Sequence, residues 1–142
     1  MTASDPLADG WQPFTDPGFI DLVGPILVRE GEGPTAYAFR ASPKHANLIG
    51  VVQGGMLMTF ADRALGVAAM AAAEGANCVT VQFEMQFIGA VRMGDVVTLV
   101  PEVVQRTGTL VFMRGDLRVG ARIAASGTGV WKILRRRPES TA

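Results

Sequence analysis

Apolar positions in this chain follow two periods, and the switch between them divides it. From Met56 to Glu74 the residues are mostly Ala, Leu and Met, apolar nearly all the way round a helical projection. Such a helix must be surrounded by other protein. Gly54-Gly55 open it and Gly75 follows it, so the spacing predicts a helix with a glycine start and a C-terminal cap at positive φ. Beyond Gly75 the period falls to two: Val79, Val81, Phe83, Met85 and Phe87 alternate with Thr80, Gln82, Glu84 and Gln86. That alternation predicts a strand with one buried face. Three more strand-like runs, 96–106, 109–118 and 121–131, should form an antiparallel meander, with Pro101 marking a bulge or an edge in the first.

Upstream, residues 19–28 read as a short helix or turn leading into a strand at 26–30, and 35–40 alternate as a second strand. Residues 42–50 form a loop. Residues 1–18 show neither period and read as an irregular arm, with Trp11 and Phe14 available to anchor it. The expectation is an α+β domain over 19–142, ending in a basic tail. One long helix is wrapped by a curved antiparallel sheet of about five or six strands, because only an enclosing sheet covers an apolar helix on all sides.

Length and charge narrow the classes. With 142 residues there is room for one domain, and 13 basic against 13 acidic residues leave a formal charge of zero. A disordered or nucleic-acid-coating chain is excluded. Only 18% of residues are charged and 49% are hydrophobic, so little repulsion opposes self-association and an oligomer is expected. A single cysteine, Cys78, and a single histidine, His45, supply neither a disulfide nor a structural zinc site. With no basic-then-apolar start, the reading is a cytoplasmic protein. Asp62 and Arg63 inside the long apolar stretch argue against a membrane span.

Asp62 is the residue that composition does not explain. Its helical neighbours are Met58, Thr59, Leu65 and Gly66, none of them basic, and a buried carboxylate without a partner is costly enough to point to function. Gly54-Gly55 begin the same helix, where free N–H groups can stabilise an oxyanion and the missing side chains let a substrate approach the backbone. Neither feature suffices alone: the carboxylate could be solvated at a helix edge, and Gly-Gly is common turn chemistry. No G-x-S-x-G, G-x-G-x-x-G, Walker loop or metal-ligand spacing is present. Cys78 reads as a small buried hydrophobe.

Taken together, Asn47, Gly50, Gly54-Gly55, Asp62, Ala64, Thr80 and Gly94-Asp95, with the small-residue run 124–128, resemble the hotdog-fold acyl-CoA thioesterases of the phenylacetate-degradation type over residues 19–131. The resemblance implies hydrolysis of an acyl- or aryl-CoA thioester without a metal or organic cofactor. Asp62 would be nucleophile or general base, and the Gly54 amide the oxyanion donor. Thr80 would help place water, and Asn47 would line the pocket. It also implies that acid and oxyanion donor come from facing subunits of a homodimer or homotetramer. Gly55, Met56 and His45 are expected to border the substrate, and Arg106 is a candidate for coenzyme A phosphates, since arginine suits bidentate phosphate contact. Gln53 departs from the family's His before Gly-Gly, so a titrating group is replaced by an amide that only donates and accepts hydrogen bonds. That departure motivates a non-catalytic acyl-CoA-binding module as an alternative. A hotdog hydratase or dehydratase is a further one.

Overall fold

The structure, a computed structural model, describes residues 5–135. Strand β1 (Gln12–Phe14), helix α1 (Phe19–Val23), and strands β2 (Ile26–Arg29) and β3 (Ala36–Arg40) lead through a 3-10 turn at Pro43–His45 into the long helix α2 (Gly54–Ala72). After it come β4 (Cys78–Phe87), β5 (Val96–Leu99), β6 (Glu102–Arg106), β7 (Leu110–Val119) and β8 (Arg122–Ile133). The result is the expected α+β architecture, one main helix against one large antiparallel sheet. The arginines at 136 and 137 of the expected basic tail lie outside the described residues.

All eight strands belong to one sheet in the order β1-β2-β3-β5-β7-β8-β4, with β6 also paired to β7. β5 and β6 are one run broken at Val100-Pro101, where proline cannot donate to a ladder, and both halves pair with β7. The strand count exceeds the expected five or six partly through this break and partly through β1. β1 corrects the expectation of an irregular arm: Gln12, Pro13 and Phe14 register on Val28, Leu27 and Ile26. Side chains hold it there. The Arg29 guanidinium lies 4.7 Å from the Trp11 ring centre, Phe14 meets Tyr37 edge-on, and Asp16 pairs with Arg63 of α2 at 2.8 Å.

α2 packs on β4, β6, β7 and β8. It is the one described helix long and apolar enough to cross a membrane, and it lies here across the sheet. Its buried residues, Met56, Leu57, Phe60, Ala61, Ala64, Leu65, Gly66 and Ala69, follow one stripe. The sheet therefore covers one side of the helix and does not enclose it; Thr59, Asp62, Arg63 and Val67 stay half-exposed. Close approach explains the small residues: a Cβ on Gly115 of β7 would stand 3.2 Å from Leu65, and one on Gly66 3.1 Å from the Trp131 indole nitrogen.

β4 departs from the simple alternation. Thr80 registers on Trp131 and Phe83 on Gly129, so three steps on β4 match two on β8 and Val81 is an extra residue. The bulge brings Thr80 onto the helix-facing side together with Phe83, where strict alternation would have put it outside with Gln82. Val79, Val81 and Phe87 are exposed rather than buried, and β4 is the terminal strand of the sheet.

Candidate active site

Gln53 precedes α2 with extended backbone (φ −57°, ψ 133°), and its carbonyl accepts the N–H groups of Met56 and Leu57 at 2.9 and 3.3 Å. No side chain caps the helix, and among the described residues the amides of Gly54 and Gly55 have no acceptor. These are the orphan donors of a helix start, with partial positive charge directed outward.

The two glycines open onto different hollows. Gly54 lies under Phe87, whose ring would be 3.2 Å from a Cβ there, beside a small apolar cleft of about 290 Å³ that includes Leu57 and Ile88. Gly55 borders a groove of about 620 Å³ together with Asn47, Gln53, Met56, His45 and Thr59. Five expected site residues thus line one groove. The reading of the sequence missed its far wall, Phe19 and Val23 of α1, and also Leu48 and Lys44. Only the apolar character of 19–23 and the adjacency of Lys44 to His45 hinted at them.

His45 and Asn47 shape the groove through the backbone. His45 Nδ1 accepts the Ser42 N–H at 3.1 Å, so Nε2 carries the proton and donates to the Val23 carbonyl. With both nitrogens engaged and the residue buried, His45 ties the 3-10 turn to the end of α1 and is not placed as a base. Asn47 Oδ1 accepts the N–H groups of Ile49 and Val51 at 3.0 and 3.2 Å, holding the loop in which Gly50 turns with φ 85°. The side chain of Gln53 is exposed and has no hydrogen-bond partner among the described residues.

Asp62 is not unpartnered, as the sequence suggested. Its Oδ1 accepts the Thr80 hydroxyl at 2.6 Å, a contact made by the bulge at Val81. Arg63 next to it is drawn aside to Asp16 and the Phe14 ring, so among the described residues no cation pairs with Asp62. Asp62 and Thr80 border neither hollow at the helix start. Eight residues separate Asp62 from Gly54, about 12 Å along the helix axis. Within one chain, the acid and the oxyanion donor do not meet.

Arg106 is placed elsewhere. Its guanidinium donates to the Ala72 carbonyl at 2.9 Å and stands 3.5 Å from Glu74, at the opposite end of α2 from the groove. Arg106 is thus engaged with the Ala72 carbonyl, away from the groove that the other expected residues line. Cys78 is buried beside that end, and desolvation pushes its thiol up from the ordinary range.

The sequence profile described as Thioesterase superfamily matches residues 49–123. A putative esterase of Pseudomonas aeruginosa is 33% identical over 128 residues, spanning 88% of this chain and 96% of that protein. Human acyl-coenzyme A thioesterase 13 is 26% identical over 100 residues, covering 70% of this chain and 71% of its own length. The crystal structure of zebrafish thioesterase superfamily member 2 superposes with a TM-score of 0.76 at 24% identity, over 84% of this chain and 88% of that one.

Proposed function

The chain belongs to the thioesterase superfamily, and from that membership we propose that it hydrolyses acyl- or aryl-CoA thioesters to the free acid and coenzyme A. The observation that carries the mechanism is the bond from the Thr80 hydroxyl of β4 to Asp62 at 2.6 Å, Asp62 sharing α2 with the free Gly54 amide. The Gly54 N–H polarises the thioester carbonyl and stabilises the oxyanion. Asp62, held in one orientation by the Thr80 hydroxyl, either attacks the carbonyl carbon or takes a proton from the water that does. The C–S bond breaks and the thiolate leaves as coenzyme A and is protonated; where Asp62 has attacked, water then cleaves the acyl–Asp62 anhydride, and by either route water supplies the oxygen and proton that complete acid and thiol.

One carbonyl cannot reach both groups across about 12 Å, because hydrogen-bonded catalysis works at about 3 Å. We propose that two copies share each site, one giving Gly54 and the other Asp62. The half-exposed side of α2, with Asp62 on it, and the exposed Val79, Val81 and Phe87 of the terminal strand β4 supply a surface for such a partner. The choice of coenzyme A esters rests on the substrate named for the acyl-coenzyme A thioesterase relative. The unengaged Gln53 side chain favours one competing reading, a module that binds acyl-CoA without turning it over.

Complementation tests the proposal. Asp62→Asn should lower turnover of an acyl-CoA panel about 10²- to 10⁴-fold while the protein remains folded, the range removal of a catalytic acid–base group gives. Gly54→Pro removes the amide donor at the first helical position, where the missing N–H costs no helix bond and the preceding residue is already extended, with the Phe87 ring, 3.2 Å from the added Cβ, shifting to admit it. Mixing the two inactive proteins should restore activity through one intact site per mixed dimer. Normal hydrolysis by Asp62→Asn rejects the acid, and an inert mixture rejects the shared site. A wild type that binds acyl-CoA without releasing thiol identifies the binding module.

A further inference from the structure

Among the described residues six of eleven lysines and arginines pair with carboxylates, Arg63 with Asp16, Arg114 with Glu102 and Arg122 with Asp95 among them, while Arg29, Arg92, Lys132 and Arg135, like Lys44, do not. The corner beside the groove brings one cation of each kind together. Lys44 borders the groove and also a second hollow of about 320 Å³ shared with Arg40 and Ser42, and among the described residues it forms no ion pair. It sits close to the reaction centre, because the Gln53 N–H at the start of α2 donates to the carbonyl of the adjacent His45 at 2.8 Å. Arg40, anchored through the Gly94 carbonyl at 3.3 Å, is neutralised from outside the sheet: Asp5 of the N-terminal arm places a carboxylate oxygen 2.5 Å from its guanidinium. Leu7 of the same arm lines the hollow.

A carboxylate held by a guanidinium next to an unpaired ammonium marks a place built for anions. Resting on the acyl-CoA reading above, we propose that Arg40 and Lys44 form the subsite for coenzyme A phosphates, and that Asp5 is an internal counter-anion those phosphates displace. The thioester lies at the helix start, between the hollow of Gly54 and the groove of Gly55, and the pantetheine arm leaves along the groove past Asn47 and His45. The phosphates emerge at Lys44, where both cations are exposed and the polyanion stays hydrated. Arginine offers the planar fork and lysine the point charge that phosphate oxygens accept. The arm thereby makes substrate affinity depend on its own docking. Arg40, in place of Arg106, is the arginine that serves the substrate.

Calorimetry with coenzyme A and with pantetheine, which lacks the nucleotide and its phosphates, separates this subsite from the chemistry. Lys44→Ala and Arg40→Gln should each weaken coenzyme A about three- to fivefold relative to pantetheine, the size expected of exposed ion pairs, and the difference should shrink in high salt. Asp5→Ala should tighten coenzyme A about twofold by removing the competitor. Equal losses for both ligands, no loss for either, or weaker coenzyme A binding in Asp5→Ala overturn the subsite. These readouts need no turnover: a wild type that prefers coenzyme A over pantetheine but hydrolyses no thioester keeps the subsite and rejects the hydrolase. A wild type that binds neither rejects both.

Discussion

The two ends of α2 carry the same backbone requirement and meet it in opposite ways. Each end of a helix leaves backbone groups without internal partners. At the C-terminal end they are satisfied: the Gly75 N–H returns to Met70 at 2.9 Å, the Glu74 N–H to Ala71 at 3.1 Å, and Arg106 covers the Ala72 carbonyl. This is a Schellman closure with a cation on the negative end of the dipole. At the N-terminal end no side chain caps the helix, and two glycine amides face hollows. Stability is built where the chain has no chemistry to perform, and unsatisfied donors are left where a substrate's oxygen can satisfy them.

The comparison can be broken from either end. The largest effect is expected from Gly54→Pro alone: about 10²- to 10³-fold lower kcat, the range for losing one oxyanion donor, with circular dichroism unchanged. A loss confined to KM would show that the open end binds without stabilising the transition state. Next, Thr80→Val should lower kcat about tenfold by freeing the Asp62 carboxylate from its one hydroxyl donor, while Thr80→Ser recovers most of it. Smallest, Arg106→Gln should lower unfolding stability by about 0.5 kcal/mol in denaturant titration, as expected for a partly exposed cation at a helix C-terminus, and leave KM for acyl-CoA where it was. A raised KM would return Arg106 to the substrate and blur the contrast between the ends.

Individual residues show how far local pattern reached. The period of 56–74 and its flanking glycines located α2 to within two residues at each end, because burial and helix termination are written into neighbouring positions. Even there the cap differed in detail: Glu74, at φ 59°, already takes the left-handed position before Gly75. Pro101 correctly marked a break in its strand. The alternation of 79–87 correctly indicated a strand and misplaced its faces, since one extra residue at Val81 moves Thr80 across the sheet. Nothing in a period-two pattern announces a bulge whose partner strand is some fifty residues downstream. Trp11 and Phe14 suggested an anchor, but the strand that β1 completes became visible only with β2 in place.

By itself the sequence determined α2, the strands from β2 onward, and the residue types from which the site is built. Those features depend on side-chain volume, polarity and backbone freedom over a few consecutive positions. Tertiary structure alone decided that Thr80 meets Asp62, that Arg106 serves the far end of the helix, that Arg40 and Lys44 share a hollow, and that Asp5 pairs with Arg40. Such relations are set by strand register and loop packing, and they exist only once distant segments have been brought into contact.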